Sequence, residues 1–174
     1  EGSWRHKKLV LPAFAEQMQE ELASYGAKIL PAASSDECIE DADLIITVTP
    51  SPKPVFDGTK VKAGATISCV GTYEPHKHEM DPAILPRASK IICDSKEAAL
   101  SETGDLLIPI ADGIITEDDI QGSLGDVING KIKGRENDDE IIVYETVGVA
   151  AQDLVAAKVI YDKAVEAGKG LVWG

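Results

Sequence analysis

Hydroxyl and glycine residues gather at three places in this chain, each directly after a strongly apolar run: Thr47-Val48-Thr49-Pro50-Ser51, Val70-Gly71-Thr72 and Thr146-Val147-Gly148. These residue types suit recognition of a polar or anionic small molecule. Hydroxyls donate and accept, prolines hold a loop, and glycine lets a ligand approach the backbone. Lys77, in "GTYEPHKHEMD", adds a cation close to the second segment. The third segment opens a long helical pattern, where unpaired N–H groups and the helix dipole favour an anion or polar group. Taken singly, each segment is better explained by capping and turning, which such residues do in most proteins. A shared site requires that the fold bring all three to one place.

Other motifs carry less. "GDVINGKI", Gly125 to Ile132, resembles the phosphate loop G-x-x-x-x-G-K-[ST], but it lies in and after a helical pattern, and Ile132 stands where the magnesium-binding hydroxyl belongs. His76, His78 and Glu79 have no well-spaced second ligand pair, so no metal is assigned. The acids Glu117 to Asp119 read as helix-start electrostatics. No G-x-G-x-x-G occurs, and where a doubly wound fold places an acid after its second strand this chain has Pro12 or Ala13.

The elements that must position these residues alternate in type. "LVLPAF" reads as a strand, and Phe14, Met18, Leu22 and Tyr25 recur at helical spacing as far as Gly26. "AKIL" is a second strand, and Ser34 or Ser35 caps a short helix. "DLIITVT" is apolar without alternation, which predicts a central strand covered on both faces. The proline-rich "TPSPKPVFDGTKVKAG" is a loop at its end. "ATISCVG" and "SKIICDS" are further strands, with a helical turn at Pro82 between them and a helix capped by Ser95 after them. "TEDDIQGSLGDVING" reads as one helix capped by Thr116, "EIIVYET" as a last strand, and the stretch from Val147 to Gly168 as a long helix. Strands alternating with helices predict an α/β doubly wound, mostly parallel sheet. In such sheets ligands lie beyond the carboxyl ends of the strands, where all three polar segments fall.

Composition bounds the rest. The chain has 174 residues, enough for one domain, with residues 1–8 expected to be a linker or remnant and 9–174 a single domain. The net charge is −13 with only 17 scattered Lys and Arg, so neither nucleic acid nor an anionic membrane is an expected partner. No apolar run approaches the ~20 residues that span a bilayer, and no secretory leader opens the chain, so a cytoplasmic location is expected. Cys38, Cys69 and Cys93 are odd in number and widely spaced, and read as small buried thiols rather than a disulfide framework.

The phrases "ADLIITVTPSPKPVF", "ISCVGTYEPHKHEMDPAIL", "ASKIICDSKEAALSETGDLLIPI", "ITEDDIQGSLGDVINGKIKGR" and "YETVGVAAQDLVAAKVIYDKAVEAGKG" together resemble, in order, the ornithine cyclodeaminase/mu-crystallin family from about Asp41 to Gly170. That resemblance implies a Rossmann-like NAD(P)-binding domain lacking its first strand and glycine-rich turn, as part of a larger two-domain protein that is a homodimer at full length. It implies NAD or NADP as cofactor, lined by Thr47, Thr49, Pro50, Ser51, Val70, Gly71, Thr72, Lys77, Thr146, Val147 and Gly148. The expected partner is a small-molecule substrate, an amino acid or cyclic imine. No catalytic residue is assigned within the chain, because the family's substrate-binding arginine and lysine would lie in the other domain, so the isolated chain is expected to be inactive. Family members that cyclise ornithine resemble "GGDxPGK" at the turn where this chain has "GTYEPHK", so Tyr73 stands in place of an aspartate. A phenol with an ordinary pKa near ~10 is no carboxylate base at neutral pH. The departure favours hydride transfer on an amino acid or cyclic imine over ornithine cyclodeaminase (lyase) chemistry, and a non-catalytic mu-crystallin-like binding protein is the third reading. Gly71 is expected to leave room for the cofactor, so valine there should block binding with modest effect on folding.

Overall fold

Capping serines set two of the helix starts where the sequence places them. The computed structural model describes residues 5–8, 12–26 and 28–171. In chain order the elements are β1 (Arg5–Lys8), α1 (Pro12–Glu21), β2 (Lys28–Pro31), α2 (Ser35–Ile39), β3 (Leu44–Thr47), β4 (Thr66–Cys69), β5 (Lys90–Cys93), α3 (Lys96–Glu102), α4 (Gly104–Ala111), β6 (Ile120–Ser123), α5 (Leu124–Ile128), β7 (Ile142–Glu145) and α6 (Ala150–Glu166). Ser34 accepts the Glu37 amide at 3.1 Å and starts α2, and Ser95 accepts the Ala98 amide at 3.3 Å and starts α3. Asp81 accepts the Ala83 amide at 3.0 Å and opens a 3₁₀ segment, Pro82–Arg87, with proline at its first position.

β1 pairs in parallel with β2, and a separate parallel sheet runs in the order β3-β4-β7-β5-β6. In the doubly wound order 3-2-1-4-5-6 the first strand lies between the second and the fourth. A sheet without that strand divides into a pair and a larger remainder, which is the partition seen here. The Rossmann-like, mostly parallel class expected from the sequence is therefore present, without its first strand among the described residues.

Several local expectations change. Arg5–Lys8, expected as linker, is strand β1. The strand expected at "LVLPAF" falls on 9–11, outside the described residues, and from Pro12 onward the backbone is already helical. The stretch from Thr116 to Gly130, expected as one helix, is a 3₁₀ turn at Glu117–Asp119, then β6, then α5. The reason is tertiary: the side chain of Gln121 accepts the Ile91 amide at 2.6 Å, β6 pairs with β5, and a second capping pair, Ser123 with Asp126, restarts the helix.

β3, expected as a central strand covered on both faces, is an edge strand with one face open. Ile45 and Thr47 are buried, whereas Leu44 and Ile46 are 48 % and 59 % exposed. The buried face joins Ile67, Cys69 and Val143 over a core that includes Phe56, Met80, Ile84, Leu106 and Ile120. No residue of α6 is buried, and Leu154, Val155, Ile160 and Tyr161 are all exposed.

Candidate functional site: a rim of three strand ends

β3, β4 and β7 are neighbours, with Thr47, Cys69 and Glu145 in register at their carboxyl ends. The chain beyond each strand stays tied to the next. The Val70 amide donates to the Thr47 carbonyl at 2.9 Å, and the Thr146 amide donates to the Cys69 carbonyl at 3.0 Å. All three polar segments thus leave one end of one sheet side by side, although Thr47 and Thr146 are far apart in sequence. The condition that the shared site required is met.

The hydroxyls do not point outward as the sequence suggested. Thr47 is buried and its hydroxyl donates to Glu79 Oε1 at 2.8 Å. Thr49 donates both its amide and its hydroxyl to Glu79 Oε2, each at 2.8 Å. The amides of Gly71 and Val70 donate to Oε1 at 2.7 and 3.3 Å. One fully buried carboxylate therefore gathers five donors from the tips of β3 and β4. The Ser51 hydroxyl is also engaged, donating to the Lys53 carbonyl at 2.6 Å. The amides of Thr49, Ser51, Val70 and Gly71 are engaged too, so what the rim exposes is Pro50, Val48 and Val70, the last two 66 % and 41 % exposed.

Gly71 has a different cause from the one expected. A Cβ there would lie 2.2 Å from the Thr49 carbonyl oxygen and 2.3 Å from its amide nitrogen. The glycine lets two strand tips close on each other. Valine at this position would force them apart, so the expected modest effect on folding is replaced by a substantial one.

The third segment is held by another carboxylate. Asp94, at the end of β5, accepts the Thr146 hydroxyl at 2.5 Å and the Gly148 amide at 2.8 Å through Oδ2, and the Ser95 amide through Oδ1. Gly148 sits at φ 88°, a conformation that suits glycine, and turns the chain into α6 beyond the half-buried Val147. Lys77 is paired with Glu74 inside its own turn, and this contact raises the lysine pKa and lowers that of the glutamate. The turn is seated on the start of α4, where the Gly104 amide donates to the Glu74 carbonyl at 3.1 Å. Thr72 is buried. Tyr73 is 65 % exposed.

Behind the rim lie two further buried acids. Asp105 accepts the Met80 amide at 2.7 Å through Oδ1, while Oδ2 has no partner. Glu145 accepts the Thr103 hydroxyl at 2.9 Å through Oε1, while Oε2 has none, and the Thr72 hydroxyl is likewise unpartnered. Burial drives the Asp105 carboxyl up to about 6, and burial followed by repulsion from Asp105 pushes Glu145 well above the usual carboxylate range. Burial and the same acids raise the Cys69 thiol, and burial takes Cys93 to about 12, so neither is a thiolate at neutral pH. Cys69 and Cys93 are thus the buried thiols expected, whereas Cys38 is half-buried. Among the described residues no group of three His, Cys, Asp or Glu could hold a metal ion.

Sequence reasoning missed Glu79 and Asp94 as organisers. Asp94 had a usable signal, since it directly follows an apolar strand at the same end as the other three segments. Glu79 had none, because its partners beyond β3 are 30 to 32 residues upstream.

Parallel strands whose polar ends gather at one edge define a Rossmann-type ligand-binding architecture. A profile of the ornithine cyclodeaminase/mu-crystallin family matches residues 8–168, and the chain belongs to that family. It is 41 % identical over 158 residues to a Delta(1)-pyrroline-2-carboxylate reductase of Bacillus cereus, covering 91 % of this chain and 47 % of the relative. The structure of Thermococcus litoralis Delta(1)-pyrroline-2-carboxylate reductase in complex with NADH and L-proline is similar at a TM-score of 0.88 and 35 % identity, covering 97 % of this chain and 53 % of that one. An archaeal alanine dehydrogenase dimer with bound NAD is similar at 0.86 and 30 % identity, covering 96 % of this chain and 51 % of that one. The chain spans about half the length of the curated relatives it matches.

Proposed function

We propose that this chain is the dinucleotide-binding part of an NAD(P)-dependent oxidoreductase that reduces the C=N bond of a small cyclic imine or imino acid. The observation that carries the proposal is the meeting of Thr49-Pro50-Ser51, Val70-Gly71-Thr72 and Thr146-Val147-Gly148 at one end of three adjacent parallel strands. Support for the substrate class comes from the similarity to pyrroline-2-carboxylate reductases, one of them with NADH and L-proline bound. The rim fits a dinucleotide on one side. Its exposed apolar edge, Val48 and Val70, suits a flat ring. The 174 residues contain no glycine fingerprint. When bound, the nicotinamide would supply the hydride taken up by the imine carbon while the nitrogen gains a proton. The part assigned to this chain is to orient that ring and leave one of its faces clear.

The setting proposed is a cytoplasmic homodimer. The exposed apolar residues of α6 support burial against other protein, and the archaeal neighbour is a dimer. Among the described residues no helix is long and apolar enough to cross a membrane.

The test uses the complete gene product. NADH and NADPH fluorescence titrations should show saturable binding, and Δ1-pyrroline-2-carboxylate should be reduced with stoichiometric loss of NADH or NADPH. Proline and ammonia formed from ornithine without net NADH change would replace this reading by the lyase, and cofactor binding without turnover would replace it by a binding protein.

A further inference from the structure

Glu79 has a geometry that the proposed chemistry does not use directly. It is fully buried, yet both oxygens are saturated by donors from two separate strand tips: Thr47 at the end of β3 with Thr49 just beyond it, and Val70 and Gly71 beyond β4. Three of those five donors are backbone amides, so Glu79 fixes the main-chain path of both turns rather than the rotamers of their side chains. A carboxylate is the one side chain that accepts on both ends and donates on neither. Its segment is itself anchored: the neighbouring Met80 amide is held by Asp105, and the Val55 amide donates to the Glu79 carbonyl at 2.9 Å, which ties the far end of the proline-rich loop to the same residue. Four parts of the chain, around Thr47–Thr49, Val55, Val70–Gly71 and Asp105, therefore converge on Glu79 and Met80.

We propose that Glu79 is a positioning residue for the dinucleotide: its buried carboxylate sets the backbone of the two turns that form one wall of the rim, so that cofactor affinity depends on this group although it lies behind the surface the cofactor touches. The assignment rests on the dinucleotide reading above. It also specifies what that reading left open, namely why the threonine hydroxyls face inward.

Glu79→Gln keeps the volume and replaces one oxygen by an NH2 group. Whichever end carries it, a donor then faces the Thr49 or the Gly71 amide, and one turn must move. In the complete gene product, Glu79→Gln is expected to weaken NADH binding at least tenfold by fluorescence titration and to raise the KM for NADH, with the KM for Δ1-pyrroline-2-carboxylate and kcat at saturating NADH within threefold of wild type. A core control, Ile84→Val, that lowers Tm should leave NADH affinity unchanged. Should Glu79→Gln fail to fold, Thr47→Val removes one donor from Oε1 without changing shape, and is expected to weaken NADH binding about three- to tenfold while leaving imine KM alone. NADH affinity within twofold of wild type in the folded variant overturns the assignment, as does an equal loss in the Ile84→Val control. A wild-type protein that binds neither NADH nor NADPH refutes the dinucleotide site itself, and the role of Glu79 falls with it.

Discussion

Asp105 should make this protein less stable as the pH rises through the weakly acidic range. The carboxyl is 1 % exposed, has one hydrogen bond from the Met80 amide and one oxygen without a partner, and lies near the Thr72 hydroxyl and the buried Glu145. Burial lifts its pKa from an ordinary 3.8 to about 6. Below about 3.8 the group is protonated both folded and unfolded and contributes no pH dependence. Between that value and about 6 the unfolded chain ionises while the folded one holds its proton, so the stability present at low pH is progressively lost. The difference between 3.8 and about 6, at about 1.4 kcal/mol for each tenfold in proton affinity, amounts to roughly 3 kcal/mol. Asp105→Asn removes the titration, keeps an acceptor for the Met80 amide and offers an NH2 group to the unpartnered oxygens nearby. Urea denaturation of wild type and variant at half-unit steps from about pH 4 to about pH 8 isolates the contribution as a difference. The variant is expected to gain on wild type by about 3 kcal/mol between about pH 4 and pH 7, with most of the change below about 6. A difference that stays flat across that range would refute the reasoning, because the buried acid would then be ionised in the folded state throughout.

Gly71→Ala is expected to lower stability by about 2–4 kcal/mol, because its Cβ meets the Thr49 backbone at 2.2 Å and neither strand tip can yield without breaking bonds to Glu79. Thermal unfolding checks this, and a Tm within about 2 °C of wild type would contradict the close approach. Asp94→Ala strips partners from the Thr146 hydroxyl and the Gly148 and Ser95 amides and is expected to cost about 1–3 kcal/mol. The loss should be localised at the entry to α6, visible as faster hydrogen exchange at Gly148 than in wild type. The complete gene product should bind NADH or NADPH and reduce Δ1-pyrroline-2-carboxylate, as read by fluorescence and by absorbance at the nicotinamide band.

Local patterns in the chain determined the class of fold. Apolar runs separated by helical periodicity, with Ser34 or Ser35 and Ser95 at cap positions and Pro82 opening a turn, specify the order of strands and helices, because each such signal is completed within a few residues. The three polar strand-end segments were legible for the same reason, and so was the resemblance that names the family. What those signals could not settle was any choice resting on a partner far along the chain. The stretch from Ile120 to Ser123 is flanked by helix-starting acids and becomes a strand because β5 offers it a pairing edge. The apolar run Leu44-Ile45-Ile46 reads as doubly covered and is open on one face, since cover depends on what packs there. The inward turn of Thr47 and Thr49 was decided only in three dimensions, by a carboxylate at Glu79 some 30 residues downstream. Buried acceptor oxygens must find their donors wherever folding brings them, and no short-range rule of spacing records that search.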